Sequence, residues 1–382
     1  MTEQDILGFN PQDLFNTNSQ EETQTVSNPL IYRTRPADAK SEDGVYRAKI
    51  KIIYNPENPK NSILEQQSYG LQDKTGYFSA VSSLTIDDKS CPIFTAWKKC
   101  HYSKPENGEM DKVLYNQALT KDKGGKGLFD KRFARYVIVQ ILKDRNQPDL
   151  VGSFKLWKLP TSIYTILQQK MNPSKDSGKT SIPVMDYLFG RAINIEVHPG
   201  PDDKSNPQRK TREITYIGEI SNDVVSCINP DGSPILNDEE QSILDAYVMK
   251  MNKVWNMECE NEEDFERRNQ LIQSINSSEE YKALLPIYAK VLNQIKEWAP
   301  KLESLSYKEW NDTLKTRVNN WIKVVLSGND PTEVSVEDLE KGSMPDITVP
   351  TASKVEVETP EVNPMINAAT APSSDPTDDL PF

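Results

Sequence analysis

The sequence predicts an α+β protein: an OB-like, partly open β-barrel core with inserted helices, then a helical region, then a disordered acidic tail. Three observations carry that expectation. Short β-branched segments separated by turn residues fill residues 31–225, with only brief helical spacings between them. Residues 235–326 switch to helical periodicity, and residues 327–382 lose it in a run rich in Pro, Thr, Ser, Asp and Glu. Charge follows similar boundaries: residues 31–220 hold 31 Lys and Arg against 22 Asp and Glu, and the remainder 14 against 35. The net charge of −12 over 382 residues therefore averages a basic body with acidic ends. Such a split suits a domain that binds a polyanion and carries an anionic tail.

Taken in order, residues 1–30 contain no Lys or Arg and read as a flexible arm. Within it, Phe9 to Phe15 is either a docking peptide or a helix start with Pro11 in its first turn. Val45–Tyr54 alternates large apolar and basic residues, the pattern of a half-buried strand with Arg47, Lys49 and Lys51 on its charged face. Gly76–Val81 is a short strand after a turn at Asp73–Gly76. Arg135–Leu142, rich in Val and Ile, is the best buried strand, and the turn Asp144–Pro148 joins it to Leu150–Trp157 as a hairpin. Ala192–Val197 and Thr211–Tyr216 form a second candidate pair. Helical spacing interrupts the strands at Pro92–His101, Asp111–Leu119 and Ser162–Met171. It returns at Glu239–Val248, Leu284–Trp298 and Leu314–Leu326, giving three or four helices read as a packing or oligomerisation module.

Several function classes fall away. No apolar run approaches the roughly 20 residues that span a bilayer, and the start Met1–Asp5 lacks the features of a signal peptide. Four scattered cysteines (Cys91, Cys100, Cys227, Cys259) fit free thiols in a reducing cytoplasm. His101 and His198 do not pair in sequence, so histidine-based catalysis has no support. Gly124–Gly127, after Lys121–Lys123, lacks the spacing of a Walker loop and reads as a flexible basic loop. No catalytic activity and no cofactor are expected.

Tyr102–Lys158 is the informative stretch. Lys121, Lys123, Lys126, Lys131, Arg132, Arg135, Lys155 and Lys158 are interleaved with Tyr115, Phe129, Phe133, Tyr136, Phe154 and Trp157. Unpaired nucleic acid calls for this combination: cations follow the phosphates, while flat rings stack on bases at about 1–3 kcal/mol each. Arg33, Arg35, Arg47, Lys49 and Lys51 extend the basic set. Some of these rings must be core, since aromatics mostly bury. Tyr136, in the best strand, is the leading core candidate; Phe133 and Tyr115, among polar residues, are the leading stacking candidates.

Ser90–Phe94, the strand Tyr136–Asp144, Gly152–Lys155, Tyr69–Gly70 and the region Pro183 to Tyr216 together resemble the T4-type phage single-stranded DNA-binding (helix-destabilising) proteins. The resemblance spans about residues 40–220. It implies an OB-fold core with an inserted subdomain, single-stranded DNA in a basic aromatic cleft, and an acidic C-terminal tail for partners. Tyr115, Lys131, Arg132 and Tyr136 fall where that family places cleft residues. The family's zinc ligands are not matched: Tyr69 stands at the His position, Val81 or Ser82 at the first Cys and Phe94 at the last, leaving Cys91 alone. No metal is therefore expected, with apolar packing around Phe94 in its place. The basic N-terminal motif linked to cooperative binding is also missing.

The end of the chain, Asp378-Asp379-Leu380-Pro381-Phe382, is similar to the acidic tip of bacterial single-stranded DNA-binding proteins. A terminal Phe with its carboxylate suits an apolar pocket rimmed by basic groups, and the Asp residues add salt-sensitive attraction. The expectation is a phage-type DNA-binding protein, active in replication, recombination and repair, that coats unpaired DNA and recruits partners through this tip. Two alternatives remain: an assembly protein that oligomerises through its helices, and an RNA-binding β-barrel, since stacking and phosphate contacts do not report the 2′-hydroxyl.

Overall fold

The computed structural model describes residues 30–82, 91–174, 177–203, 206–210, 214–306 and 308–341. Its strands are β1 (Ile31–Tyr32), β2 (Tyr46–Ile53), β3 (Leu64–Asp73), β4 (Gly76–Val81), β5 (Asp130–Asp144), β6 (Phe154–Leu159), β7 (Arg191–His198), β8 (Asp202–Asp203), β9 (Asn206–Lys210) and β10 (Thr215–Val224). β8 and β9 pair with each other; the other eight share one sheet of order β1-β6-β5-β2-β7-β10, with β3 pairing β4 and β5. The protein is thus mixed α+β.

β5 is the organising strand because it is long enough to pair with three neighbours. Its C-terminal half lies against β2, with Ile52 opposite Val139. Its N-terminal half lies against β3, with Gln67 opposite Phe133, and its other edge takes β6. Alternation along β2 and β5 sends side chains into two cores. Tyr46, Ile50, Ile52, Val137, Val139, Trp157, Ile193 and Ile195 fill one. Ile53, Tyr136, Ile138, Phe154 and Leu156 fill the other. A sheet covered on both faces loses the polar half of its alternation, which explains the near-continuous apolar run at residues 137–141.

The spatial order β7-β2-β5-β6 is a Greek key, the fourth strand returning to lie beside the first. The sheet is not closed. β10 forms one edge and pairs only with β7, while the free edge of β6 is taken by β1, running parallel with Tyr32 opposite Trp157. Side chains span the gap: Ser162 Oγ donates to the Tyr216 carbonyl at 2.9 Å, and Tyr216 Oη donates to the Thr34 carbonyl at 3.3 Å. Buried Asp144 fastens the other end, accepting from the hydroxyl of Tyr32 at 2.7 Å, from that of Tyr46, and from the backbone N–H groups of Asn146 and Gln147. Four donors satisfy a carboxylate that would otherwise be costly to bury.

The helices are α1 (Pro92–His101), α2 (Glu109–Ala118), α3 (Thr161–Met171), α4 (Asp238–Trp255), α5 (Glu262–Asn276), α6 (Glu279–Trp298), α7 (Asp312–Leu326) and α8 (Val336–Glu340). The last five start at side-chain caps (Asn237, Asn261, Ser278, Asn311 and Ser335), each worth about 1 kcal/mol. α4 and α6 bury Leu244, Tyr247, Ile287 and Val291 in the cluster that holds Ile138 and Leu156, so the helical region shares a core with the sheet. α7 instead joins α1 and α2 over the β3–β4 ribbon, where Trp321, Val318, Phe78, Leu71 and Phe129 form a third cluster. Trp321 Nε1 donates to the Gln72 carbonyl at 2.9 Å, and Arg317 grips Asp73 through two nitrogens at 2.7 and 2.9 Å.

Residues 327–341 belong to the compact unit that ends at Lys341 and include α8, which corrects the expectation of a tail without structure from residue 327. Ser335 and Asp338 form its capping box, and Lys74 pairs with Asp338 at 2.7 Å. The expected N-terminal arm, residue 30 apart, and the tail tip Asp378–Phe382 lie outside the described residues.

Candidate nucleic-acid interface

Past the end of β2, the first half of β5 continues with β3 on one side. Successive Cβ atoms alternate, so Lys131, Phe133 and Arg135 share one face while Asp130 and Arg132 share the other. Phe133 is 47% exposed. The Arg135 guanidinium lies 4.8 Å from the Phe133 ring centre and 4.1 Å from that of Tyr164 on α3. Glu65, directly across on β3, holds it with an Nε to Oε1 bond of 3.0 Å. One cation thus links two rings, one of them open to solvent.

The opposite face carries a second pairing. Arg132 lies 5.3 Å over the Tyr77 ring and contacts Asp130 Oδ2 at 2.6 and 2.9 Å. Gly70 makes room for this, since a Cβ there would collide with Tyr77 Oη. Exposed Lys158 stands on the same face, opposite Tyr136. Crowding by neighbouring atoms, then the Arg132 charge, lowers its pKa below the usual lysine value. Among the described residues, these two pairings set cations and rings on both faces of one five-residue strand segment, where they can follow phosphates and meet bases.

The remaining candidates scatter. Lys121 and Lys123 are exposed on a single helical turn, and Lys126 pairs with Asp330 at 3.5 Å. That segment is fixed by Gly127 N–H donating to the Leu119 carbonyl and Lys126 N–H to that of Asn116. Tyr115 is half-buried on α2, its ring 6.3 Å from that of His101. Arg47 is exposed but already paired with Asp43 at 2.7 Å and Glu196 at 2.8 Å. Lys49 and Lys155 are half-buried, and burial lowers the Lys155 pKa.

Three expectations are corrected. Lys51 is fully buried, donating to the Val225 carbonyl at 2.6 Å near Asp186, because the second core covers the face that alternation assigned to solvent. Trp157 is 1% exposed in the first core, its Nε1 donating to Thr34 Oγ1 at 3.3 Å. Tyr136 is 6% exposed among Ile138 and Leu156, as its strand suggested, and so is not a cleft residue.

Rings that sequence reading missed stand close by. Tyr77 and Tyr164 complete the two pairings, but cross-strand neighbours carry no signal along the chain. Phe94, Trp97 and His101 follow one face of α1 at i, i+3 and i+7, a readable spacing. Phe94 and Trp97 stack at 5.6 Å, Trp97 and His101 at 4.6 Å, and Lys98 Nζ sits 4.3 Å from the Phe94 ring. Tyr102, at the end of this column, is 71% exposed.

Tyr69, Cys91 and Phe94, the positions compared with zinc ligands, meet in the apolar third cluster. Among the described residues no three His, Cys, Asp or Glu side chains converge on a metal site. All four cysteines are free and buried, and burial pushes the Cys100 thiol up to about 11. Among the described residues no helix is long and apolar enough to cross a membrane. No family model and no curated protein matches the chain.

Proposed function

We propose that this protein binds single-stranded DNA without turning it over, coating and protecting it during phage replication and recombination. The observation that carries the reading is the Phe133–Arg135–Tyr164 stack with Arg132, Tyr77 and Lys158 behind it. An exposed ring among cations, of which Arg132 and Arg135 are each held by one carboxylate, supplies base stacking and phosphate attraction from one element. Duplex DNA hides its base faces, so the same surface favours unpaired strands. The Greek-key order and the open edges at β1 and β10 also suit an OB-fold, a partly open barrel that binds oligonucleotides on its face. The T4-type resemblance points the same way, and the tip Asp378–Phe382 is assigned the recruitment of replication and recombination proteins.

Fluorescence anisotropy with oligo-dT, oligo-rU and duplex DNA at two salt concentrations tests this. The reading requires tight, salt-sensitive binding of oligo-dT, with weaker binding of oligo-rU and the duplex. Absence of oligo-dT binding at low salt overturns it. Deletion of residues 373–382 is expected to keep or tighten DNA binding while abolishing partner pull-down.

A further inference from the structure

β7 begins with a buried guanidinium that the DNA-binding reading does not use. Arg191 is 3% exposed. Its Nη1 donates to the carbonyls of Phe189 at 3.1 Å and Gly190 at 3.4 Å, while Nε and Nη2 make no hydrogen bond among the described residues. The Trp255 ring lies 4.7 Å from the guanidinium carbon. Both side chains line a cavity of about 340 Å³, together with Lys170, Asn222, Asn252 and Asn256. A ligand pocket of this size is ordinary for a small molecule.

The charge balance there is incomplete. Arg191 lies close enough to buried Lys51 to disfavour the lysine's charge, and one buried carboxylate, Asp186, stands near Lys51. Asp186 is itself taken up by the N–H groups of Leu188 and Phe189 and by the Tyr288 hydroxyl. Exposed Asp223 favours the Arg191 charge from a distance, but no carboxylate among the described residues pairs with the guanidinium. Nε and Nη2 are not among the buried unpaired atoms, so they open to the cavity, where an anion can replace water. A phosphate entering the cavity would supply the missing charge, accept from Nε and Nη2 in the fork geometry that suits guanidinium, and meet Lys170 and the three Asn amides.

We propose that the Arg191 cavity binds a phosphate group, carried by a free mononucleotide or by the end of a DNA strand. The site is independent of the Phe133 platform, so the two readings fail separately. Thermal unfolding of the full chain at fixed ionic strength tests it, using inorganic phosphate, thymidine 5′-monophosphate and thymidine as probes against a sodium chloride reference. Phosphate and the monophosphate are expected to raise Tm by about 2 °C near saturation, and thymidine to leave it unchanged. Arg191→Met removes the response. Asn222→Asp, an exposed-position change that places a carboxylate in the cavity, folds and weakens phosphate binding about tenfold or more. Comparing 5′-phosphorylated with 5′-hydroxyl oligo-dT distinguishes the source: tighter binding of the former assigns the strand end, equal binding the free mononucleotide. A wild-type Tm that does not respond to phosphate overturns the proposal, as does an undiminished response in folded Asn222→Asp.

Discussion

The two halves of β5 share one backbone and one alternating pattern, yet meet opposite fates. From Val137 to Ile141 every side chain is buried, because the core of Tyr46, Ile50 and Trp157 covers one face and α4 and α6 cover the other. From Lys131 to Arg135 no side chain is fully buried. Residue type does not separate the halves, since Phe133 is apolar and exposed while Gln140 is polar and buried. Gln140 is tolerated because its Nε2 donates to the carbonyls of Gly152 and Ile228 and its Oε1 accepts the Ile228 N–H. Neighbouring layers decide burial, and the strand supplies only the side on which each residue stands.

Five substitutions or titrations break or sharpen that contrast. Trp157→Ala, opposite the buried half, should cost about 3–5 kcal/mol of stability in denaturant unfolding while the folded fraction still binds DNA. Phe133→Ala, on the open half, should weaken oligo-dT binding by about 1–3 kcal/mol with unfolding nearly unchanged; unchanged affinity would remove the ring from the interface. Arg132→Ala should lower the salt slope of single-strand binding by about 0.7, read from affinities over a salt series.

Lys158 gives a pH test. Its folded pKa lies below the usual lysine value and a bound phosphate raises it, so DNA affinity should fall as pH rises through the window between the two. Stability should rise across that window, because unfolded Lys158 holds its proton more tightly. Lys158→Met should flatten the decline in affinity seen by anisotropy. Arg47→Ala should have the smallest effect, within about 0.2–1 kcal/mol in stability, since its exposed pairs with Asp43 and Glu196 are screened. A large loss of DNA affinity there would extend the interface along β2.

Legibility followed the same division. The hairpin of β5 and β6, strand β7 and helices α1, α3 and α7 were readable because β-branched runs and helical spacing are local signals; the partner expected for β7 at Thr211–Tyr216 shares only Thr215 and Tyr216 with β10. β3 was not, since Glu65, Gln66 and Gln67 look like loop residues. The fold satisfies them through Arg135, the Leu305 carbonyl at 2.6 Å and Tyr69 Oη at 3.1 Å. Lys51 was assigned to the correct alternation but the wrong environment, because distant segments around Asp186–Gly190 and Val225–Cys227 close over it. Within the candidate interface, Phe133, Arg132 and Arg135 were read from composition. Tyr77 and Tyr164 needed the register.

The docking of α7 on the β3–β4 ribbon has a consequence for synthesis. Trp321 and the Gln72 carbonyl that it meets are 249 residues apart. At synthesis rates of about 5–20 residues per second, roughly 12–50 s pass between the appearance of the two. During that interval Leu71, Phe78 and Phe129 are without the helix that seals them. A nascent chain therefore spends most of its time on the ribosome with an adhesive ribbon on show, and a message truncated before residue 312 yields a product prone to clump. The docking of α7 is the step that makes the polypeptide safe to release.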